Sequence, residues 1–330
     1  MRISIHTVKL LLTLLAPAVL VACSGSDAGE TDGQTIRLTT SSLEVNGGAA
    51  TRSVSQGLLA RQFDSGDQID IFIRDAMDRE PGKPEQTYAQ PLVYTADGSG
   101  NLSNPSPRYF PPYNRSVYVW GVYPKGAAGA DVRAGNIPFS VRQDQSTNSA
   151  YTASDLMTGA ATDNPWAHSD ELSGNTIPLR FTHLLSKVNV NLTKTASTTD
   201  ITEEMMKSAR VYIMSTKPTT KFTPTSTNIR PGDATGTPFA DGIYVCQGTK
   251  GSCIVVPQAM TPGDAFIKVV VGNDTFVYKV AAGGFSFEPR MLHTLNVLIH
   301  KANIILTTTI DEWTDGDSLS DTAVTVGDDY

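Results

Sequence analysis

The sequence predicts an all-β protein, and three observations lead to this prediction. Short runs of β-forming residues recur along the chain, separated by Gly, Pro, Asn and Asp. Several of these runs alternate apolar and polar residues, as half-buried strands do. Helical patterning is weak and is confined to 202–208, where Thr202 is placed to cap the first turn. The 330 residues are enough for two domains, each with a core of its own.

The start of the chain predicts an export signal. Arg2 and Lys9 precede an apolar run over 10–20, which has the length of a signal peptide and is too short to span a bilayer stably. The run leads into Leu20-Val21-Ala22-Cys23, which resembles the lipobox of bacterial lipoproteins. The sequence therefore predicts a signal peptide over 1–22, a lipidated Cys23, and an outer membrane lipoprotein exposed at the cell surface and held by its acyl chains. An ordinary signal peptide followed by a chance Cys is the alternative.

The charge balance argues against nucleic acid as a partner. The chain has 26 Lys and Arg residues against 33 Asp and Glu residues, a formal net charge of -7. Affinity for nucleic acid comes largely from neutralising phosphates with cations, which an acidic chain does poorly.

Strands and turns follow in order after a small, polar tether over 23–35. Val117–Tyr123 is apolar on both faces, as a central strand would be, whereas Lys187–Thr193 alternates with its apolar residues inward. Two hairpins are predicted, at 94–102 and at 267–280, with Gly, Asn and Asp in their turns. A polar stretch at 194–200 sets the expected boundary between β-sandwich domains over 36–196 and 197–330.

Two cysteines remain once the signal peptide is removed. Cys246 and Cys253 flank a polar loop between two apolar runs, so in an oxidising compartment we expect a disulfide across this hairpin. Two unpaired thiols are the alternative. The spacing does not fit a zinc knuckle and no second ligand pair follows, so no metal is expected.

No catalytic motif is present: the sequence has no nucleophile elbow, zinc-protease helix, phosphate loop or calcium loop. We therefore expect a protein that is not an enzyme and needs no cofactor. A surface glycan-binding lipoprotein is the alternative function, and its best candidate for an exposed aromatic platform is Trp166.

Six short motifs occur in order along the chain. They are Phe63-x-x-Gly66-Asp67-x-Ile69, the pair Tyr94-Thr-Ala-Asp-Gly98 and Tyr118-Val-Trp-Gly-Val-Tyr-Pro124, Asp155-Leu-Met, Phe181-Thr-His-Leu-Leu-Ser-Lys-Val188, Val255-Val-Pro-Gln258, and Ile310-Asp-Glu-Trp-Thr-Asp-Gly316. Together they resemble the fimbrillin superfamily of Bacteroidetes, in particular its Mfa-like fimbrial subunits. The resemblance implies two tandem transthyretin-like β-sandwich domains and a head-to-tail polymer with other fimbrial subunits.

The resemblance also implies how subunits would join. An Arg-specific protease removes a strand, which exposes an apolar groove and unpaired backbone groups, and an extended segment of the next subunit fills the groove. Thr51-Arg52-Ser53 resembles the family's processing junction with Ser53 in place of Ala, so cleavage is expected between Arg52 and Ser53. Arg37 and Arg61 are alternative sites, and retention of the uncut segment, as in an anchor subunit, is a further alternative.

The donor strand is expected in the tail, over 318–327. One face of this segment carries Leu319, Ala323 and Thr325, and the other carries Thr322, Val324 and Val326. Either face is suitable for filling the alternate pockets of a groove. A solvated acidic tail is the alternative.

Overall fold

The computed structural model describes residues 35–40, 63–75, 91–111, 116–129, 136–160, 175–223, 230–300, 303–313 and 323–324, the last pair by their backbone alone. About half of these residues lie in strands and very few lie in helices, which confirms the predicted all-β class. The first ten strands are β1 (Arg37–Thr40), β2 (Gln68–Asp75), β3 (Leu92–Ala96), β4 (Asn101–Ser103), β5 (Val117–Tyr123), β6 (Ile137–Ser140), β7 (Met157–Ala160), β8 (Thr176–His183), β9 (Ser186–Lys194) and β10 (Arg210–Ile213). The others are β11 (Thr219–Phe222), β12 (Ile243–Gln247), β13 (Lys250–Val255), β14 (Gln258–Met260), β15 (Ala265–Val271), β16 (Asp274–Lys279), β17 (Phe285–Phe287), β18 (Met291–His300), β19 (Asn303–Glu312) and β20 (Ala323–Val324). The two described helices are α1 (Asn148–Thr152) and α2 (Glu203–Lys207).

Seven strands of the first half join into a closed barrel, in the order β1-β4-β3-β2-β5-β7-β8. Neighbours in the ring are antiparallel except β1 and β8, which run parallel and complete it. The inner residues Ile69, Ile71 and Ile73 of β2 alternate with outer ones, as the pleat requires. Strand β5 is buried on both sides, as its sequence predicts, because Val119 faces this barrel core and Val122 faces the larger second core.

The second half places two sheets around one shared core. One sheet has the order β12-β10-β15-β16 and the other β13-β9-β18-β19-β20. Val211 and Val269 of the first sheet and Val190 and Val297 of the second belong to the same buried cluster. Two small sheets, β11-β6 and β14-β17, lie beside them. Both predicted hairpins are present, as β3-β4 and β15-β16.

The passage from the barrel to the second pair of sheets occurs at Leu184 and Leu185, both fully buried, between β8 and β9. Strand β9 already pairs with β13 and β18, so the polar stretch at 194–200 is the turn that leaves β9 and not the passage between sheets. In addition, β6 pairs with β11 from the other half. The domain boundary expected after residue 196 stays a prediction. The change of sheet itself lies earlier in the chain, at Leu184 and Leu185.

Phe181 of β8 explains two glycines in the barrel. Its ring is buried and meets the ring of Phe63 edge-on, with 4.8 Å between centroids. A Cβ atom added to Gly159 of β7 would lie 2.8 Å from the Phe181 ring, and one added to Gly121 of β5 would overlap it. The barrel therefore closes around this ring only because β7, which pairs with β8, and β5, the next strand along, both carry glycine at that level.

The substitution Gly159→Ala should lower the free energy of unfolding by about 1–3 kcal/mol, because the added methyl displaces the Phe181 ring in a packed core. Urea unfolding followed by tryptophan fluorescence measures the change. Gly283→Ala is the matched control, since a Cβ atom at Gly283 meets no atom within 4 Å. Equal stabilities of the two variants would contradict the packing role of Phe181.

His293 of β18 is a fully buried histidine held in its neutral form. Its Nε2 accepts a hydrogen bond from the backbone N–H of Glu288 at 3.3 Å, and the rings of Phe285 and Phe287 pack against it. Burial lowers the pKa of His293 to about 4. Because an unfolded histidine has a pKa of about 6.5, the folded chain binds this proton less readily, and stability is lost as pH falls from about 6.5 to 4.

The substitution His293→Gln should reduce the acid sensitivity of the fold while keeping an acceptor for the Glu288 N–H. If the pKa of His293 moves from about 6.5 in the unfolded chain to about 4 in the folded one, the wild-type protein should lose about 2.5 kcal/mol more unfolding free energy than the variant between pH 7.5 and 4.5. Denaturant unfolding at the two pH values measures this difference. His300→Gln, on a partly exposed histidine of the same strand, should keep the wild-type pH dependence. The same dependence in His293→Gln would contradict the assignment.

Candidate strand-acceptor site

Strand β1 occupies the slot between β4 and β8 that completes the barrel. Leu38 pairs with Leu102 of β4 on one side and with Ile177 of β8 on the other. The side chains of Ile36 and Leu38 point into the barrel core and are 4% and 2% exposed. The segment therefore fills alternate pockets, in the manner expected of a strand inserted into a groove.

The backbone of β1 satisfies groups that would otherwise be open to solvent. The N–H of Ile36 donates to the carbonyl of Arg108 at 2.8 Å, and the N–H of Thr40 donates to the carbonyl of Gly100 at 2.7 Å. The Thr40 hydroxyl donates to the same Gly100 carbonyl at 3.3 Å. Without β1, the pairing edges of β4 and β8 would both be unoccupied, which is a template for another strand.

The walls of this slot are apolar. Leu102 of β4 and Ile177 and Leu179 of β8 are buried in the same core cluster as Ile36 and Leu38. A segment that enters the slot must therefore bring apolar or small side chains at every second position. Its backbone must also form hydrogen bonds along both edges, since the neighbours on both sides, β4 and β8, are strands.

The predicted processing junction lies in sequence between β1 and β2, the next strand of the barrel. Arg52 and Ser53 fall outside the described residues, as do Cys23 and the alternative site Arg61. Arg37, the other alternative site, lies within β1, where the backbone is paired on both sides. Cleavage between Arg52 and Ser53 would leave β1 with no covalent link to the strands that hold it.

The start of the tail is fixed by Trp313, which follows β19. Its ring is buried and stacks on the ring of His183 with 3.6 Å between centroids. The backbone N–H of Trp313 donates to the carbonyl of Arg290 at 2.7 Å. His183 Nδ1 is in turn hydrogen-bonded to Asp155 Oδ1 at 2.7 Å in a buried position. Three motifs that are far apart in sequence thus meet at the base of the tail, a contact that none of the motifs indicates alone.

Part of the predicted donor segment is described. The backbone of Ala323 and Val324 forms β20, which pairs antiparallel with Thr309 and Thr308 at the edge of the second sheet. Leu319, Thr322 and Val326 lie outside the described residues. The assignment of a donor strand to this segment stays a prediction.

The two cysteines lie on neighbouring strands that belong to different sheets. Cys246 of β12 and Cys253 of β13 are both buried, free thiols. Burial raises the pKa of Cys246 to about 11 and raises that of Cys253 as well. Both are therefore protonated and unreactive at neutral pH. The predicted disulfide stays a prediction.

Other features bear on the remaining predictions. Within the described ranges, no group of three or more His, Cys, Asp or Glu side chains is placed to hold a metal ion. No helix in that part of the chain is both long and apolar enough to cross a membrane. Trp166 lies in the undescribed stretch 161–174, whereas Trp120 is half-buried against the larger core.

Comparison with solved structures finds similar proteins in several bacteria. A candidate cell adhesion protein from Bacteroides uniformis superposes with a TM-score of 0.59 at 19% identity, covering 86% of this chain and 99% of that one. A candidate cell adhesion protein from Bacteroides ovatus gives 0.58 at 15% identity, with 86% and 99% covered. A fimbrilin from Porphyromonas gingivalis gives 0.47 at 10% identity, with 87% and 99% covered. No curated protein matches the sequence at the threshold applied.

The closed barrel followed by a second pair of sheets is thus a fold that this chain shares with the two Bacteroides proteins. The profile of the fimbrillin-like family matches residues 51–313, which is most of the chain. The chain belongs to the fimbrillin-like family, as the six motifs indicate. The matched region begins at residue 51, after β1 and directly before Arg52.

The contribution of β1 to the barrel can be measured with one substitution. Leu38→Ala should lower the free energy of unfolding by about 2–4 kcal/mol and speed amide exchange in β4 and β8, because it empties a buried pocket. Hydrogen exchange followed by mass spectrometry and urea unfolding report the two effects. Arg37→Ala, on the exposed neighbour, should change neither. Similar effects of both variants would show that β1 is not held by its inward side chains.

Proposed function

We propose that the protein is a subunit of a cell-surface fimbria and that assembly replaces its β1 with the tail of a neighbouring copy or subunit. The observation that carries the proposal is the position of β1. This strand is buried in the barrel and paired on both edges, yet its only covalent connection to the rest of the barrel passes through the predicted junction at Arg52 and Ser53.

The energetics favour exchange over simple loss of β1. Burial of Ile36 and Leu38 contributes about 1.5–3 kcal/mol each, so an empty slot is unfavourable even when the chain has been cut. A neighbour that supplies the same backbone bonds and side chains of similar shape restores the barrel. Because the donated strand belongs to the next subunit, repetition of the contact produces a filament that does not close.

The tail has a side-chain pattern that fits the slot. Thr322, Val324 and Val326 repeat every second residue, as Ile36, Leu38 and Thr40 do. Read in the opposite chain direction, the tail presents two valines and then a threonine, where β1 presents Ile36, Leu38 and Thr40. Leu319, Ala323 and Thr325 form the other face, in which the apolar residues are spaced less regularly.

The described part of the tail makes few backbone contacts with its own subunit. Strand β20 has two residues paired with β19, whereas β1 has four paired with β8 alone. Release of the tail to a neighbour therefore breaks few backbone bonds. Trp313 keeps the base of the tail fixed, so the released segment extends from a defined point.

Cleavage at the predicted junction would also determine where the subunit is held. The predicted lipid anchor at Cys23 and strand β1 lie on the same N-terminal segment. A cut subunit therefore leaves its anchor behind and is retained by its neighbours, whereas an uncut subunit stays in the outer membrane through its acyl chains. The same chain thus serves as a polymerising or an anchoring subunit, according to whether Arg52 is cut.

The proposal is tested by trimming purified protein that lacks residues 1–22 with an Arg-specific endopeptidase. Wild-type protein should yield a chain that starts at Ser53 and forms ladders on a gel without boiling, because the slot is free to accept a tail. Arg52→Ala should remain monomeric, whereas Arg61→Ala, the matched control, should polymerise normally. N-terminal sequencing identifies the cut in each case.

A second arm tests the donor. Protein truncated after Asp317 should be cut normally and stay folded, since Trp313 is retained, but should form no ladder. Ladders of wild-type length from the truncated protein would refute the donor role of the tail. Normal assembly of uncut Arg52→Ala would refute the role of the junction.

A further inference from the structure

A large cavity opens in the second half of the protein, and none of the residues of β1 or β20 line it. Its volume is about 880 Å³, within the range of sites that bind organic ligands. In the described part of the chain, four segments line it, within 214–217, 230–240, 257–264 and 286–289. These segments include the loops on either side of β14 and β17. Because β14 and β17 pair with each other, they hold these loops around the cavity.

Charges of both signs converge on this cavity. Lys217 and Arg230 line it together with Asp233, Asp264 and Glu288, and all five side chains are exposed. No ion pair between described residues involves any of the five. The cavity therefore offers free hydrogen-bond donors and free acceptors to a ligand.

The third cation near the cavity is Arg290, which follows the lining residue Pro289. Burial, and after it the nearby charge of Arg230, lower the pKa of Arg290. Three cations therefore lie near three carboxylates, and the formal charges at the site cancel.

This arrangement selects the chemistry of the ligand. The carboxylates disfavour an anionic ligand, and the cations disfavour a cationic one. A purely apolar ligand would displace the water that is hydrogen-bonded to the charged groups and would offer no hydrogen bonds in its place. A neutral ligand with many hydroxyl groups satisfies both kinds of group, because each hydroxyl donates one hydrogen bond and accepts others.

The rest of the wall is rigid and partly apolar. Pro231, Pro238, Pro257 and Pro289 line the cavity, and proline fixes the backbone of the loops that carry it. Phe239 is half-buried, lining the cavity while it packs against the larger core. A sugar ring has apolar C–H faces that suit such a surface.

An extended peptide is a less suitable occupant. The side-chain amide of Gln258 already bonds the backbone of Lys217, accepting from its N–H at 2.9 Å and donating to its carbonyl at 3.1 Å. It also donates to the carbonyl of Val256 at 2.9 Å. These backbone groups at the cavity wall are therefore not open to an added strand.

We propose that this cavity binds a neutral oligosaccharide. The site is complete in the uncut monomer and does not depend on strand exchange, so it adds an adhesive activity to the assembly function. Its carboxylates accept hydrogen bonds from the sugar hydroxyls, and Lys217 and Arg230 donate to the hydroxyl oxygens.

The test uses uncut protein that lacks residues 1–22, applied to an array of neutral, sialylated and sulfated oligosaccharides. The neutral oligosaccharide with the strongest signal is then titrated calorimetrically. Asp233→Asn and Asp264→Asn should each weaken its binding about tenfold, the effect of losing a charged acceptor. Asp274→Asn, an exposed aspartate in the β15-β16 turn outside the cavity, should bind within twofold of wild type.

Three results would overturn the proposal: no neutral oligosaccharide bound, a preference for the sialylated or sulfated ones, or wild-type affinity in both cavity variants. The gel-ladder assay on Asp233→Asn and Asp264→Asn separates this site from assembly. Both variants should polymerise normally after trimming, since neither residue belongs to β1, to the strands that hold it, or to the tail.

Discussion

Backbone pairing of β1 on both of its edges is the constraint on which the first half of this protein depends. The ring of hydrogen bonds closes only because a parallel contact to β8 and an antiparallel contact to β4 meet in one short segment. Its buried Ile36 and Leu38 complete the core that the other six strands surround. A single short strand thus decides whether the barrel has two open edges or none, and open edges recruit other strands.

The second half has a different task in the proposed assembly, because it must hold the base of the tail in place while the tail is donated to a neighbour. The stack of Trp313 on His183, supported by Asp155, fixes the point at which β19 ends. Beyond it, only the two-residue β20 contacts the sheet among the residues that are described there. In the proposed exchange, this packing would keep the origin of the donated segment fixed while the two paired residues of β20 are released.

The sequence predicted the local elements well. Alternation identified β9, apolar character on both faces identified β5 as a central strand, and turn residues identified the β3-β4 and β15-β16 hairpins. The cap at Thr202 is also as predicted, since its hydroxyl accepts from the N–H of Met205 at 3.2 Å. The passage between sheets was harder to locate, because a polar stretch such as 194–200 marks a turn without showing which sheet the preceding strand has joined. The cavity in the second half was not predicted, since its lining residues are ordinary loop residues in sequence.

By itself, then, the sequence determined the all-β class, the individual strands and the family, because side-chain alternation, turn chemistry and short motifs are properties of neighbouring residues. Only the tertiary structure decided that β1 lies between β4 and β8, that Phe181 requires Gly121 and Gly159, and that four distant segments enclose one polar cavity. The physical reason is that strand pairing and packing join residues far apart in the chain. A strand's own residues show that it will pair, but the choice of partner depends on every other strand that competes for the same edge.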